Sequence, residues 1–188
     1  MIFQTTDDIN TLQNIVLNRH ESNNADQLDI LSGYVGIQPI KEITKNKNIK
    51  TTIIYGMFNE KSSIHNSKNQ LHLQLVQTDL ENNNLSVYYP KTMSHAKCYI
   101  WRKKNDIVSV LLGSANFSSK GLLTPGREVL SEVNASDWES VDHYYKKILN
   151  SSVHCYHEEI PEDFDNVPTD SNVYETLSLH SERSKINW

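Results

Sequence analysis

Apolar residues recur along the chain at two spacings, and each spacing predicts one type of element. Apolar positions three or four residues apart predict helices over 7–19, 70–80 and 137–149, and Pro39 can start a short helix over 39–44. Continuous or alternating apolar positions predict strands over 28–37, 50–55, 85–89, 94–102, 107–113 and 128–133. Because helices and strands alternate first and adjacent strands follow, we expect an α/β fold with helices layered on a mixed sheet.

Two of the predicted strands carry further information. The segment 28–37 holds Gly33, Tyr34 and Gly36 near its end, which indicates that another part of the protein approaches the backbone closely there. The segment 107–113 is apolar almost throughout, so we expect it to be central and buried. The polar residues 103–106 join it to the preceding strand as a hairpin.

The composition bounds the class of protein. The chain has 188 residues, of which 37% are hydrophobic and 22% are charged, enough for one domain with its own core. We expect that domain to span residues 1–160 and an acidic tail or linker to span 161–188. The sequence has no apolar run long enough for a membrane span, no secretory signal pattern, and only two cysteines. We therefore expect a cytoplasmic protein without membrane contact.

The net charge of −5 is unevenly distributed along the chain. Residues 91–130 hold 7 Lys/Arg against 2 Asp/Glu, a local charge of +5, whereas 131–188 hold 4 against 12, a local charge of −8. The overall charge argues against a general nucleic-acid coat. A basic segment between acidic flanks remains compatible with a phosphate-binding site, or with an ordinary solvated face.

Three short motifs in and beside the basic segment could act on a phosphate. His95 and Lys97 are two apart in the predicted strand 94–102, so both side chains should lie on one face, about 7 Å apart. The next strand ends in Gly113-Ser114-Ala115-Asn116, which places a hydroxyl and an amide where a strand gives way to a turn. Glu128 heads the following strand, where its carboxylate could fix the tautomer of His95.

Together, these motifs resemble the active-site pattern of the phospholipase D superfamily. Within it, the stretches around 28–36, 94–101 and 108–132 are similar to metal-independent restriction endonucleases of the BfiI and NgoFVII type. The resemblance covers about residues 28–150. It implies an α/β/α sandwich on a mixed sheet, with the active site on the two-fold axis of a homodimer.

The resemblance also implies a mechanism that needs no metal ion or other cofactor. His95 would attack a DNA phosphodiester to form a phosphohistidine, and His95 of the partner subunit would protonate the leaving oxygen. Lys97 and Asn116 would bind the phosphate, Ser114 would orient it, and Glu128 would hydrogen-bond His95. Further phosphate contacts are expected from the first turn after Asn116 and from the hairpin tip, that is, from Ser118, Lys120, Arg102, Lys103 and Lys104.

Alternatives remain open at this stage. The chain lacks the aspartate that usually follows the lysine in the superfamily pattern, and Asp106 lies too far along to replace it. The missing aspartate disfavours a lipid phosphodiesterase more than it disfavours a nuclease. A further alternative is a non-specific nuclease module of another phage-defence protein. A cluster at 154–158 has His and Cys but lacks the spacing of a standard zinc knuckle, so no metal site is predicted. A DNA-recognition domain is expected to follow residue 188 in the full-length protein.

Overall fold

An eight-stranded mixed sheet runs through the part of the chain that the computed structural model describes, residues 2–3, 11–58, 65–123 and 128–156. The strand order is β1-β7-β6-β5-β2-β3-β4-β8, with β2, β3 and β4 parallel to one another and every other pair antiparallel. The strands are β1 (Ile2–Phe3), β2 (Gln27–Ser32), β3 (Lys50–Tyr55), β4 (Leu85–Pro90), β5 (Lys97–Lys103), β6 (Asp106–Gly113), β7 (Val129–Glu132) and β8 (Ser152–His154).

Helices cover both faces of this sheet. Apolar residues of four helices, such as Leu12, Ile40 and Leu75, join the larger core cluster on one face. Tyr145 packs with Leu31 and Ile100 in a second cluster on the other face. The predicted α/β/α sandwich is therefore confirmed. The helices are α1 (Thr11–Ser22), α2 (Ile37–Ile43), α3 (His65–Glu81) and α4 (Ser119–Leu122) on the first face, and α5 (Trp138–Asn150) on the second.

Element boundaries differ from the prediction where local chemistry competes with the apolar pattern. The strand predicted over 28–37 ends at Ser32, since residues 33–36 leave the sheet and only Val35 keeps an isolated bridge, to Phe117. The strand predicted over 94–102 begins at Lys97, so His95 lies before the strand and not on it. Pro39 falls in the first turn of α2, where a missing N–H costs no intrahelical bond.

Two predicted segments extend outside the described residues. The first predicted helix, 7–19, is described only from Thr11, and it continues to Ser22. The acidic tail predicted over 161–188 lies outside the described residues, and the domain boundary near 160 stays a prediction. No helix in the described ranges combines the length and the apolar character that crossing a bilayer requires.

Candidate active site

The predicted site residues converge where β2 and β6 end and β5 begins. Ser32, the last residue of β2, pairs with Lys97, the first residue of β5. Cys98 pairs with Leu112, which brings Gly113 beside Lys97. The antiparallel register thus places the His95 and Gly113–Asn116 motifs together, although they are far apart in sequence.

His95 and Lys97 are in direct contact. The Lys97 ammonium lies 3.0 Å from both His95 ring nitrogens and donates a 2.7 Å hydrogen bond to the His95 carbonyl oxygen. If the ammonium donated along the lone pair of one ring nitrogen, it would lie nearer to that nitrogen than to the other. The equal distances show that it does not do so, and a phosphate can therefore still approach the ring nitrogens in the plane of the ring. Lys97 is only 8% exposed, whereas His95 is exposed. Burial lowers the pKa of the Lys97 ammonium, and the charge of Glu128 partly opposes this shift.

Backbone contacts fix the orientation of the Asn116 side chain. The backbone N–H of Tyr34 donates to Asn116 Oδ1 at 3.0 Å. Because Oδ1 is held towards the loop after β2, the Asn116 NH₂ group is the end left to donate to an anion. The Ser32 hydroxyl supports this arrangement, since it donates to the Tyr34 carbonyl at 2.7 Å and accepts from the Phe117 N–H at 2.8 Å.

Gly33 gives His95 and Asn116 the space they occupy. A Cβ atom at Gly33 would lie 2.7 Å from His95 Cδ2 and 3.3 Å from Asn116 Oδ1. The ring of the next residue, Tyr34, meets the His95 ring edge-on with centroids 5.7 Å apart. The prediction that another part of the protein approaches the backbone at Gly33 and Gly36 is confirmed. At Gly33, the residues that approach are His95 and Asn116 of the candidate active site.

Gly33→Ala is expected to lower the rate of phosphodiester cleavage by about 100-fold, because displacing a reacting group by about 1 Å can cost that much. Gly33 has no positive φ, so alanine introduces no backbone strain there and the free energy of unfolding should change little. Single-turnover cleavage rates, measured beside urea unfolding, test the effect. Wild-type rates in the folded variant would show that the spacing around His95 is not critical.

Glu128 occupies a different place from the one predicted. Its carboxylate accepts a hydrogen bond from the Ser114 hydroxyl, and the Ser114 oxygen accepts from the Val129 N–H at 3.1 Å. No hydrogen bond joins it to His95, although both residues are described. The reason is the β6–β7 register, in which the Ser114 N–H donates to the Val129 carbonyl and so brings residues 114 and 128 side by side. The predicted Glu128–His95 contact within one subunit is therefore wrong.

Ser118 and Lys120 lie on the turn that follows the motif. Ser118 is the N-cap of α4, and its hydroxyl oxygen accepts from the Gly121 N–H at 3.2 Å. Lys120 is exposed on the same short helix. Nothing in these contacts tests the predicted phosphate contacts, which stay predictions.

Arg102 is not on the hairpin tip, so this part of the prediction is wrong. The turn consists of Lys104 and Asn105, both with positive φ, which leaves Arg102 inside β5. Arg102 is 4% exposed and bonds Asp29 Oδ2 at 2.7 Å and Asp142 Oδ1 at 2.6 Å. Its guanidinium thus joins the sheet to α5 and is not available to DNA.

The two hairpin lysines lie far from the motif residues. Lys103 and Lys104 are at the opposite end of β5 from Lys97, about 20 Å along the strand. The Lys103 ammonium lies 3.4 Å from an Asp26 carboxylate oxygen, and Lys104 is exposed. A contact from either lysine to DNA would therefore be to a phosphate remote from the scissile bond.

The fold and the site define a phospholipase D-like domain: an α/β/α sandwich with a His-x-Lys motif at the start of one strand and Gly-Ser-x-Asn after the next. Residues 10–162 match the family model described as "NgoFVII restriction endonuclease N-terminal PLD domain". The chain belongs to this family. No curated protein matches the chain significantly.

The solved structures that share the fold include two bacterial proteins. NucT from Helicobacter pylori is 22% identical, with a TM-score of 0.51 over 76% of this chain and 92% of that one. Nuc from Salmonella typhimurium, a phospholipase D family member, is 13% identical, with a TM-score of 0.52 over 74% of this chain and 88% of that one. At these identities the likeness concerns the fold alone.

Proposed function

We propose that this chain is the catalytic domain of a restriction endonuclease that hydrolyses DNA phosphodiester bonds without a metal ion. The observation that carries the proposal is the convergence of His95, Lys97 and Asn116, a nucleophile and two donors, at one end of the sheet. The family to which the chain belongs supports the nuclease assignment. The basic segment 91–130 supports a polyanionic substrate.

His95 forms the covalent intermediate in this mechanism. The neutral imidazole attacks the phosphorus, a P–N bond forms, and the P–O bond to the leaving strand breaks. Water then attacks the phosphohistidine and gives a proton to His95 of the partner subunit, which had protonated the leaving oxygen; the P–N bond breaks and the imidazole is released. Lys97 and the Asn116 NH₂ group stabilise the negative charge on the phosphate oxygens throughout, which is the work that Mg²⁺ performs in other nucleases.

A second copy of the chain completes the site. The leaving oxygen requires a proton donor, and this sequence contains only one His-x-Lys motif followed by Gly-Ser-x-Asn. His95 of the partner subunit fills that role in a two-fold dimer whose axis passes between the two motifs. A residue that acts at a site shared by two subunits must be exposed in the single chain, and His95 is exposed.

The carboxylate content of the site favours metal independence. Among the described residues around the motif, Glu128 is the acid in the site, and its carboxylate already accepts from Ser114. Mg²⁺ sites in nucleases depend on carboxylates for their protein ligands. A single engaged carboxylate is a poor Mg²⁺ site, whereas the adjacent Lys97 ammonium suits a phosphate.

Sequence specificity is assigned to a part of the protein outside this chain. In this proposal Lys97 and Asn116 bind phosphate. Phosphate contacts fix the position of a protein on DNA and contribute to affinity, but they do not read the base sequence. We propose that a C-terminal DNA-recognition domain reads the sequence in the full-length protein, with 161–188 as the linker. Cys98 and Cys155 are both unpaired and buried, which fits the reducing cytoplasm that we propose as the site of action.

Plasmid DNA incubated with the chain in EDTA is expected to be cleaved slowly and without sequence preference, most strongly at low salt, where phosphate contacts are strongest. Phosphatidylcholine vesicles serve as the parallel substrate, and sedimentation of the same sample should show a dimer. Cleavage that vanishes in EDTA and returns with Mg²⁺ contradicts the mechanism. Hydrolysis of the vesicles but not of the plasmid points to a lipid phosphodiesterase, and a stable monomer that cleaves DNA refutes the shared site.

A further inference from the structure

A second cluster of polar side chains lies at the β8 edge of the sheet. Asp79 near the end of α3, His154 at the end of β8 and Cys155 just after it bring a carboxylate, an imidazole and a thiol together, with one ligand atom from each within 4.8 Å of the others. Strand β4, beside this cluster, is three strands away from β5, about 14 Å. The cluster is therefore separate from the candidate active site.

We propose that Asp79, His154 and Cys155 form a structural zinc site that holds β8 against β4 and α3. Imidazole, thiolate and carboxylate are the three protein ligand types that Zn²⁺ takes, and water can occupy the fourth tetrahedral position. On binding, the thiol loses its proton to solvent and the thiolate coordinates the metal.

Two of the three distances within the cluster fit a shared metal ion. Asp79 Oδ2 lies 3.6 Å from Cys155 Sγ and 3.5 Å from His154 Nε2, and with one ring nitrogen of His154 the three ligand atoms all lie within 4.8 Å of one another. Bonds of about 2.0–2.3 Å from a tetrahedral Zn²⁺ put its ligands about 3.3–3.6 Å apart. The His154–Asp79 separation is too long for a good N–H···O hydrogen bond, but it suits two ligands of one ion.

Backbone and ring contacts hold the three ligands in place. The Val87 N–H donates to Asp79 Oδ2 at 2.6 Å, and the Val87 carbonyl accepts from the Cys155 N–H at 2.9 Å. His154 contacts the rings of Tyr88 and Tyr156, with centroids 4.7 Å and 3.8 Å away. One β4 residue thus positions two ligands, and two tyrosines orient the third.

A bound zinc ion would also explain why the carboxylate of Asp79 is buried. The residue is 7% exposed, and no lysine or arginine in the described ranges forms an ion pair with it. Buried carboxylates in proteins are normally paired or bound to metal.

Cobalt titration of the chelator-treated chain tests the site. One Co²⁺ per chain should bind with the visible bands of tetrahedral cobalt and a thiolate-to-metal band in the near ultraviolet. The chain has only two cysteines, and both are buried, so Cys98→Ser is a matched control that should keep the band. Loss of the band in folded Cys98→Ser, or no cobalt binding by the folded wild-type chain, overturns the proposal.

Zinc affinity and stability give the second measurement. Cys155→Ser and Asp79→Asn should each weaken zinc binding by about 100-fold or more, at least as much as losing a residue that merely supports a ligand. At the same zinc concentration, zinc should raise the Tm of the wild-type and Cys98→Ser chains much more than that of either ligand variant. Equal zinc affinity in wild type and Asp79→Asn contradicts the site. DNA cleavage in EDTA is a separate readout, so the nuclease mechanism and the zinc site can fail independently.

Discussion

His95→Ala should reduce DNA cleavage by at least about 10⁴-fold, the loss typical of removing a covalent nucleophile. Among the described residues of the proposed site, only the imidazole can form the intermediate, because the Lys97 ammonium and the Asn116 amide lack an available nitrogen lone pair. Because His95 is exposed and precedes β5, truncating it leaves no buried cavity, so stability should hold within about 0.5 kcal/mol. Single-turnover cleavage in EDTA, together with urea unfolding, measures both effects.

His143→Ala is the matched control for this variant. His143 is also exposed, but it lies on α5, on the face of the sheet away from the other helices. Its removal truncates the same kind of side chain, and no contact in the described part of the chain joins His143 to His95, Lys97 or Asn116, so wild-type cleavage is expected. Comparable losses in both variants would indicate a general effect of removing a histidine, and full activity in His95→Ala would eliminate the proposed nucleophile.

Lys97→Met is expected to slow cleavage by about 10²–10³-fold, equivalent to about 3–4 kcal/mol of barrier, as for the loss of one oxyanion donor. The ammonium is largely removed from solvent and touches the His95 ring, so it lies where charge develops on the phosphate. Methionine keeps an apolar side chain of similar length and removes the charge together with the N–H donors of the ammonium. The loss should appear in the rate at saturating DNA more than in binding, because the interaction strengthens in the transition state.

Lys147→Met is the charge-matched control. Lys147 is exposed on α5, and no contact in the described residues joins it to His95, Lys97 or Asn116, so its replacement lowers the net charge equally and leaves the site groups in place. It should cleave at the wild-type rate. An equal loss in the two variants would mean that overall charge, and not the position of the Lys97 ammonium, governs the reaction.

The fold and the motif residues could be predicted because local pattern and global structure agree there. The apolar run 107–113 became β6, whose central residues are buried, and β3 coincides with the predicted segment 50–55. His95 and Lys97 came together because only Ala96 separates them in the sequence. Gly113–Asn116 joined them because consecutive antiparallel strands place the start of one beside the end of the next.

The errors arose where a side chain's partner is distant in sequence. Arg102 was predicted at the hairpin tip because a cation near a turn is usually exposed, yet Asp29 in a buried strand already required a partner. Glu128 was expected to reach His95, but strand register decides that it meets Ser114. Ser32 and the Tyr34 N–H orient Asn116 through loop contacts that no spacing rule contains.

The central claim is a phosphohistidine at position 95 formed without metal, and trapping that species tests it most directly. A single turnover on a short DNA duplex in EDTA, quenched in alkali because phosphohistidine is acid-labile, would be digested and analysed by mass spectrometry. The account predicts a peptide containing His95 that carries the covalent phosphoryl-DNA fragment, and no such peptide from His95→Ala. Cleavage at full rate with no adduct on His95, or an adduct on another residue, would contradict it.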